Sequence, residues 1–446
     1  MRFFTLLLLL TTGLLLAGEP PLLIESCSIF DAQSGEFLPD HSVLTQGDKI
    51  SAVAPSSEIG ELPPATVRID GRGKFLLPGL IDAHVHVVHI LDYAHMTGDE
   101  VLPLYLAAGV TAIRSTGDEI VAATIVARSA STRPQSSPRL FTCSPLLDAD
   151  PPIHRDIGRG ITSPDQVGPL LDDLLPWNIS TVKIYARTGR EVGRTIIEEG
   201  HKRDLFITAH LGAYRAQEAV ADGVDCLEHI ISVYNYLSAD DIAKLSATPP
   251  VDAREIELVR LLVEKGTMVD PTLAVFRNMI HLPDAPEIAG HPDNELAPQR
   301  LRDFWPVYLK RTNCPQGGTL EQRRELFSRY QKLTGLLHRA GVPILCGTDS
   351  PEPQVTPGFS LHQELEMLVE SGLAPAAALQ AATLNNARAL RQEQQLGSIT
   401  PGKYADMILL SANPLEDIRN TRKIETVIRG GTPVDPEHLL HLVPKQ

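Results

Sequence analysis

Six side chains of this sequence have the types and the placement to do chemistry: His84, His86, Lys183, His210, His229 and Asp349. His84 and His86 close the run Phe75-Leu-Leu-Pro-Gly-Leu-Ile-Asp-Ala-His-Val-His86. In a strand, residues two apart point to the same face, so the pair aims two imidazoles at one point, an arrangement suited to a metal ion. Neutral imidazole nitrogens and carboxylate oxygens suit borderline divalent ions, Zn2+ above all, and a catalytic site keeps one position open for water. Lys183 is the odd member, because a protonated amine beside a dication is repelled. Carboxylated by CO2, it becomes an anion with two oxygens able to bridge two metals; the alternative is an ordinary lysine paired with an acid.

These residues need elements that carry them to one place. Between residues 75 and 396 short apolar strands alternate with amphipathic helices, the pattern of βα units around a parallel sheet. Eight strands are predicted: Phe75 to His86, Thr111 to Arg114, Arg139 to Thr142, Thr181 to Tyr185, Leu205 to His210, Asp225 to His229, Thr267 to Asp270 and Val342 to Asp349. Helical patterns such as Gly189 to Lys202 and Glu321 to Ala340 fall between them. The expected class is therefore α/β, a (β/α)8 TIM barrel. A doubly wound open sheet is the alternative, but no G-x-G-x-x-G follows the first strand. On a barrel, every candidate falls at or near the C-terminal end of a strand, where active sites of this architecture collect. A lone strand-end histidine is usually a hydrogen-bonded core or rim residue; four of them with an aspartate are not explained that way. Long segments at Ser131 to Pro138, Ser144 to Pro152 and Asn278 to Gly318, rich in Pro and polar residues, are expected to shape the barrel mouth.

The chain ends read differently. Leu22 to Phe30, Ser42 to Thr45 and Lys49 to Ala54 are short candidate strands, as are Ala405 to Leu410 and Glu425 to Arg429. Neither end can bury a core alone, so residues 19–74 and 397–446 are expected to pair into a small β-sandwich flanking a barrel of residues 75–396. Residues 1–18 have the charged start and apolar run of a secretory signal, shorter than a spanning helix, which predicts a secreted or periplasmic protein; an uncleaved anchor is the alternative. Five scattered cysteines without C-x-x-C spacing imply neither a disulfide framework nor a thiolate zinc site. With 446 residues and a net charge of -15, the chain is enzyme-sized and lacks the basic clusters that nucleic acid or anionic lipid requires. The expected partner is a small-molecule substrate, with no stable membrane span after processing; a homo-oligomer is compatible with the sequence.

Together, Pro78-Gly-Leu-Ile-Asp-Ala-His-Val-His86, Val182-Lys-Ile-Tyr185, Thr208-Ala-His210, Leu227-Glu-His229 and Gly347-Thr-Asp-Ser350 resemble the amidohydrolase superfamily. Within it the chain looks like the imidazolonepropionase-related branch that includes Xaa-Pro and other dipeptidase-like enzymes. Ala382-Thr-Leu-Asn-Asn-Ala387 and the tail Leu396 to Leu410 carry the same resemblance. It implies that His84 and His86 bind the more buried of two zinc ions, that a Lys183 carbamate bridges both, that His210 and His229 hold the second, and that Asp349 binds the first. It implies further that a hydroxide bridging the ions attacks an amide carbonyl while Asp349 shuttles its proton to the departing amine. The substrate class so implied is a dipeptide or an N-acyl amino acid. A lactonase, an organophosphate esterase or a deaminase on the same metal site is the alternative, and a non-catalytic binding protein a further one.

Other residues are read from position alone. Tyr185 shares the face of Lys183, so it either donates to a tetrahedral oxyanion or packs at the barrel rim. Tyr234 and Tyr236 either line the pocket or pack their loop. His89, His95 and His154 read as loop histidines, His362 as structural or catalytic in equal measure, and Asp118, Asp148 and Asp150 show no partner.

Overall fold

The computed structural model describes residues 20–245, 247, 252–312 and 317–445; the expected signal segment and Cys314 lie outside the described residues. From the N-terminus run β1 (Leu22–Asp31), β2 (Glu36–Gln46), β3 (Lys49–Pro55), β4 (Val67–Asp70) and β5 (Phe75–Pro78). After them come β6 (Leu80–Val85), β7 (Val110–Ser115), β8 (Arg139–Ala149), β9 (Gly158–Ile161), β10 (Thr181–Ile184), β11 (Phe206–Ala209), β12 (Cys226–Glu228) and β13 (Met268–Asp270). The chain closes with β14 (Met407–Leu410), β15 (Ile424–Arg429) and β16 (Thr432–Val434). Both chain ends join one hydrogen-bonded sheet of order β16-β15-β14-β5-β1-β2-β3, with β4 beside β1. The sheet is antiparallel except where β1 pairs in parallel with β4 and β5, and it seats Leu22, Ile24, Ile29, Leu76, Met407, Leu409 and Ile428 in one apolar cluster to which both chain ends contribute.

The second sheet is parallel, in the order β6-β7-β8-β10-β11-β12-β13, with β9 added beside the outer half of β8. Every residue of β6, β7, β10, β11 and β12 is buried, as expected for parallel strands covered on both faces. The gap between β13 and β6 is filled by the extended segment at 343–350. Val269 N–H donates to Pro343 O (3.0 Å) and Leu345 N–H to Val269 O (2.9 Å) on one side. On the other, Asp349 N–H donates to His84 O (2.8 Å) and His86 N–H to Ser350 O (2.7 Å). The predicted eighth strand is thus in place, but its ladder is interrupted. Thr348 turns its N–H (3.1 Å) and hydroxyl (2.7 Å) onto the Asp82 carboxylate, and Asp349 adopts a left-handed backbone with φ 63°.

The predicted first strand is divided. Phe75–Pro78 pairs with β14 in the end sheet, and Leu80–Val85 pairs with β7 in the barrel. Gly79 is the crossing point, where a Cβ would lie 2.0 Å from the Thr111 hydroxyl. The helices follow their local signals closely. Arg190–Lys202 starts after Gly189, while Leu320–Ala340 opens with a Thr319/Gln322 capping box and stops at Gly341, φ 96°. The long polar segment expected as a loop at 278–318 instead contains the helix Gln299–Arg311, packed through Leu301, Phe304, Trp305 and Tyr308. Likewise β8 continues to Ala149, so much of the expected 144–152 loop is strand.

Candidate metal centre

All six candidates line one cavity of 280 Å3 at the C-terminal end of the parallel strands. His84 and His86 come from the end of β6 and the residue after it, Lys183 from β10, and His210 and His229 from the residues following β11 and β12. Asp349 lies at its centre. Its Oδ1 is 3.5 Å from His84 Nε2 and 3.3 Å from His86 Nε2, and its Oδ2 is 4.0 Å from His229 Nδ1. His84, His229 and Asp349 each offer a ligand atom within 4.8 Å of the others. The His210 and His229 rings are 4.7 Å apart, as are those of His84 and His229. A larger groove of 510 Å3, lined by Arg139, Tyr404 and Arg429, lies at the opposite end of the strands, where Asp406 pairs with both arginines.

Buried carboxylates hold these rings. Glu228 Oε2 lies 2.7 Å from His84 Nδ1, leaving Nε2 to face the cavity. The other Glu228 oxygen accepts from the buried Arg114 guanidinium (2.6 Å) and from Thr208. Asp118 Oδ1 lies 3.5 Å from His86 Nδ1, and its carboxylate accepts from Val87 N–H, His89 N–H and the Ser115 hydroxyl. His229 Nδ1 lies 2.8 Å from Thr272 Oγ1. Such partners fix ring orientation and raise ligand basicity. His229 (φ 67°), Thr272 (φ 44°) and Asp349 (φ 63°) all take left-handed backbone, a conformation that non-glycine residues hold only where the surroundings enforce it.

The electrostatics suit nitrogen and oxygen donors. Burial, reinforced by the nearby Lys183 charge, lowers His84 to about 4 and His210 to about 3, and burial with the neighbouring rings pushes His229 down as well. All three are neutral at pH 7, as ligands must be. Burial also disfavours charge on His86, but the Asp118 and Asp349 carboxylates outweigh it and raise this group to about 10. Asp349 is held well below the usual carboxylate range despite its burial, by His84 and the other rings. Lys183 is 1% exposed, and its Nζ has no hydrogen-bond partner. Burial lowers its pKa, which favours the free amine that carboxylation needs. A buried amine with no hydrogen bond, faced by neutral imidazoles and an anionic carboxylate, fits a lysine altered to bridge cations. The residues present fit a metal centre.

The comparisons with known proteins point the same way. Residues 75–434 match the model of the amidohydrolase family. The chain belongs to the amidohydrolase family. This enzyme family is metal-dependent. The imidazolonepropionase of Geobacillus kaustophilus is 26% identical over 412 residues, covering 87% of this chain and 89% of that protein. The adenine deaminase of Rubrobacter xylanophilus is 24% identical over 442 residues and 93% of this chain. The chain spans 58% of that deaminase and 16% of a second one, from Rhizobium meliloti. Among solved structures, a candidate prolidase from Bifidobacterium longum superposes with a TM-score of 0.70 at 25% identity, covering 96% of this chain and 99% of that one.

In this amidohydrolase, residues read from position alone fall into place. Tyr185 does line the cavity, its ring 4.9 Å from His210, and burial raises its pKa so that the phenol stays protonated. Tyr234 and Tyr236 do not line it: Tyr234 packs on Tyr330 (4.9 Å), and the Tyr236 hydroxyl donates to Gly212 O (2.6 Å). His362 is structural, bonded to Thr421 Oγ1 (2.9 Å) and Ala108 O (3.1 Å) inside its helix packing. His89 and His154, expected as loop histidines, stand in the cavity wall with rings 5.0 Å apart. Asp148 organises its own loop by accepting from Ile153 N–H (3.0 Å) and Arg187 N–H (2.7 Å). Phe276, Met279, Tyr308 and Glu352 also line the site and carried no signal in sequence. Their helices and loops are brought over the barrel by tertiary packing.

Proposed function

We propose that the chain is a metal-dependent hydrolase of amide C–N bonds, acting on a small substrate built like a dipeptide or an N-acyl amino acid. One observation carries the reading: four histidines, a buried unpaired lysine and an aspartate converge on one cavity at the strand ends. His84, His86 and Asp349 would hold one zinc ion, His210 and His229 a second, with a Lys183 carbamate between them. Ions bound there would bring the pKa of the attacking water toward neutrality and polarise the scissile carbonyl.

The chain's own groups do the rest. Asp349, anionic and reached by three histidines, takes the proton of the attacking water and passes it to the departing amine nitrogen. Tyr185, a neutral phenol at the cavity wall, is placed to donate to the oxygen of the tetrahedral carbon. The surrounding apolar side chains displace water and strengthen both interactions. The adenine deaminase relatives support a second reading, in which the bond broken joins an amino group to a ring carbon. From the apolar N-terminal run we propose export from the cytosol; no helix among the described residues is long and apolar enough to cross a membrane.

The test is metal content against activity. Zinc-loaded protein should release amine from an amide panel, lose turnover in chelator and regain it with zinc. Turnover by protein holding much less than about one equivalent of metal would refute the mechanism. Asp349→Asn should abolish turnover with the fold retained, and surviving activity would remove its proton-shuttle role.

A further inference from the structure

Three side chains at the cavity rim take no part in the centre at its floor. His89, His154 and Asp156 each offer a ligand atom within 4.8 Å of the others. His89 opens the short helix His89–Tyr93, and the other two come from the loop between β8 and β9. The two imidazoles line the cavity with ring centroids 5.0 Å apart, while Asp156 approaches from outside its lining. His89 is 4% exposed. Its Nε2 lies 3.5 Å from the Tyr308 hydroxyl and 4.0 Å from Glu352 Oε1, whereas its Nδ1 is buried without a hydrogen-bond partner. Asp156 Oδ2, 3.6 Å from that Nδ1, is too distant for a hydrogen bond. A divalent ion would satisfy both, because with bonds of about 2.0–2.1 Å its tetrahedral ligand atoms lie about 3.3 Å apart.

The backbone holds this rim group in place. Asp118, which backs the His86 ring, accepts from His89 N–H at 3.1 Å. Asp148 accepts from Ile153 N–H at 3.0 Å and Ile157 O from Leu146 N–H at 3.0 Å, so the loop carrying His154 and Asp156 is tied on both sides. Burial, then the neighbouring His89, lowers His154 to about 4, which leaves a neutral ring near pH 7. Asp156 has no lysine or arginine in ion-pair contact among the described residues; Arg311 lies over the Tyr93 and Phe304 rings instead. A plain His89–Asp156 ion pair would give His154 no part.

We propose that His89 Nδ1, an imidazole nitrogen of His154 and the Asp156 carboxylate bind a further divalent ion of the zinc class at the rim, separate from the floor centre, with water in the remaining position. Two imidazoles and a carboxylate are that ion's usual donors, and three protein ligands leave one position open. The carboxylate offsets part of the charge that another cation brings near the floor. Because His89 and His154 line the cavity, the ion borders the way down to the floor residues.

The experiment counts zinc and needs no turnover, so it stands or falls apart from the amide-hydrolase reading. The full chain is stripped with chelator and dialysed to equilibrium against buffered free zinc. His154→Phe and Asp156→Ala should each hold about one equivalent less than the parent at saturation. The double variant should lose no more than either single one, and Asp156→Glu should keep the equivalent. Melting in chelator separates a lost site from a lost fold. The unmutated chain gives a second readout: carbethoxylation of His154 by diethylpyrocarbonate, followed by mass spectrometry, should fall as the last equivalent of zinc binds. Equal zinc content in the parent and the folded variants at every free zinc concentration overturns the proposal. So does a double variant that loses the sum of two separate decrements, or a His154 whose reactivity stays constant through saturation.

Discussion

Replacing Glu228 with glutamine tests whether the carboxylate beneath the histidines governs metal binding or merely fills the core. The side chain is wholly buried, with one oxygen 2.7 Å from His84 Nδ1 and the other 2.6 Å from the Arg114 guanidinium. Glutamine keeps the volume but removes the charge that makes His84 Nε2 a stronger donor and that neutralises Arg114. Loss of such an outer partner weakens metal binding by about 10–100-fold, equivalent to about 1.4–2.8 kcal/mol. Leaving Arg114 buried without its anion adds a separate stability loss of about 3–5 kcal/mol, against a total of about 5–15. The variant should therefore fold, melt earlier in the metal-free state, and regain turnover only at raised zinc. Zinc affinity is read by competition with a chromophoric chelator, and stability by melting in chelator. A Glu228→Gln protein that melts earlier but binds zinc within twofold of the parent would refute the coupling and leave Glu228 a core ion pair.

Three further outcomes are expected. Because His86 is held protonated up to about 10, and must be neutral to bind metal, loading zinc near pH 7 should release a proton from this group and zinc affinity should rise with pH up to that value; zinc addition to weakly buffered apoprotein with no fall in pH would contradict this. Lys183→Ala should bind less than the parent's zinc complement and lose the bicarbonate dependence of metal reconstitution expected of the parent, whereas full activity would exclude an essential carbamate. Gly79→Ala should destabilise the fold by about 1–3 kcal/mol, as overpacking does, because its Cβ would lie 2.0 Å from the Thr111 hydroxyl; an unchanged melting temperature would show that the crossing between the two sheets is more yielding than its packing implies.

The site was legible where chain periodicity alone places a side chain. His84 and His86 are two apart across the end of β6, and Lys183 and Tyr185 repeat that spacing across the end of β10, so strand alternation sufficed to find them. It could not find Glu228. Alternation puts Glu228 and His229 on opposite faces, yet Glu228 bonds the His84 ring and the His229 ring lies 4.7 Å from the same ring. The left-handed backbone of His229 resolves this, because φ of 67° breaks the alternation at the strand end and turns both neighbours inward. Asp349 does the same on the last barrel segment, where Thr348 is tied to Asp82 and the aspartate swings over the histidines. Asp118 and Arg114 were hidden for another reason. Each bonds a residue about thirty or more positions away, Val87 and Glu228 respectively, so their partners exist only once the barrel is closed. Tyr308 and Glu352 reach the wall from outside the strand ladder, on a helix and a loop whose course composition does not specify. The reaction centre is thus written in strand spacing, and the wall that meets the substrate in tertiary packing. This is why chain pattern pointed to a metal hydrolase, whereas the groups that line the wall around it, Tyr308 and Glu352 among them, became readable only from the cavity.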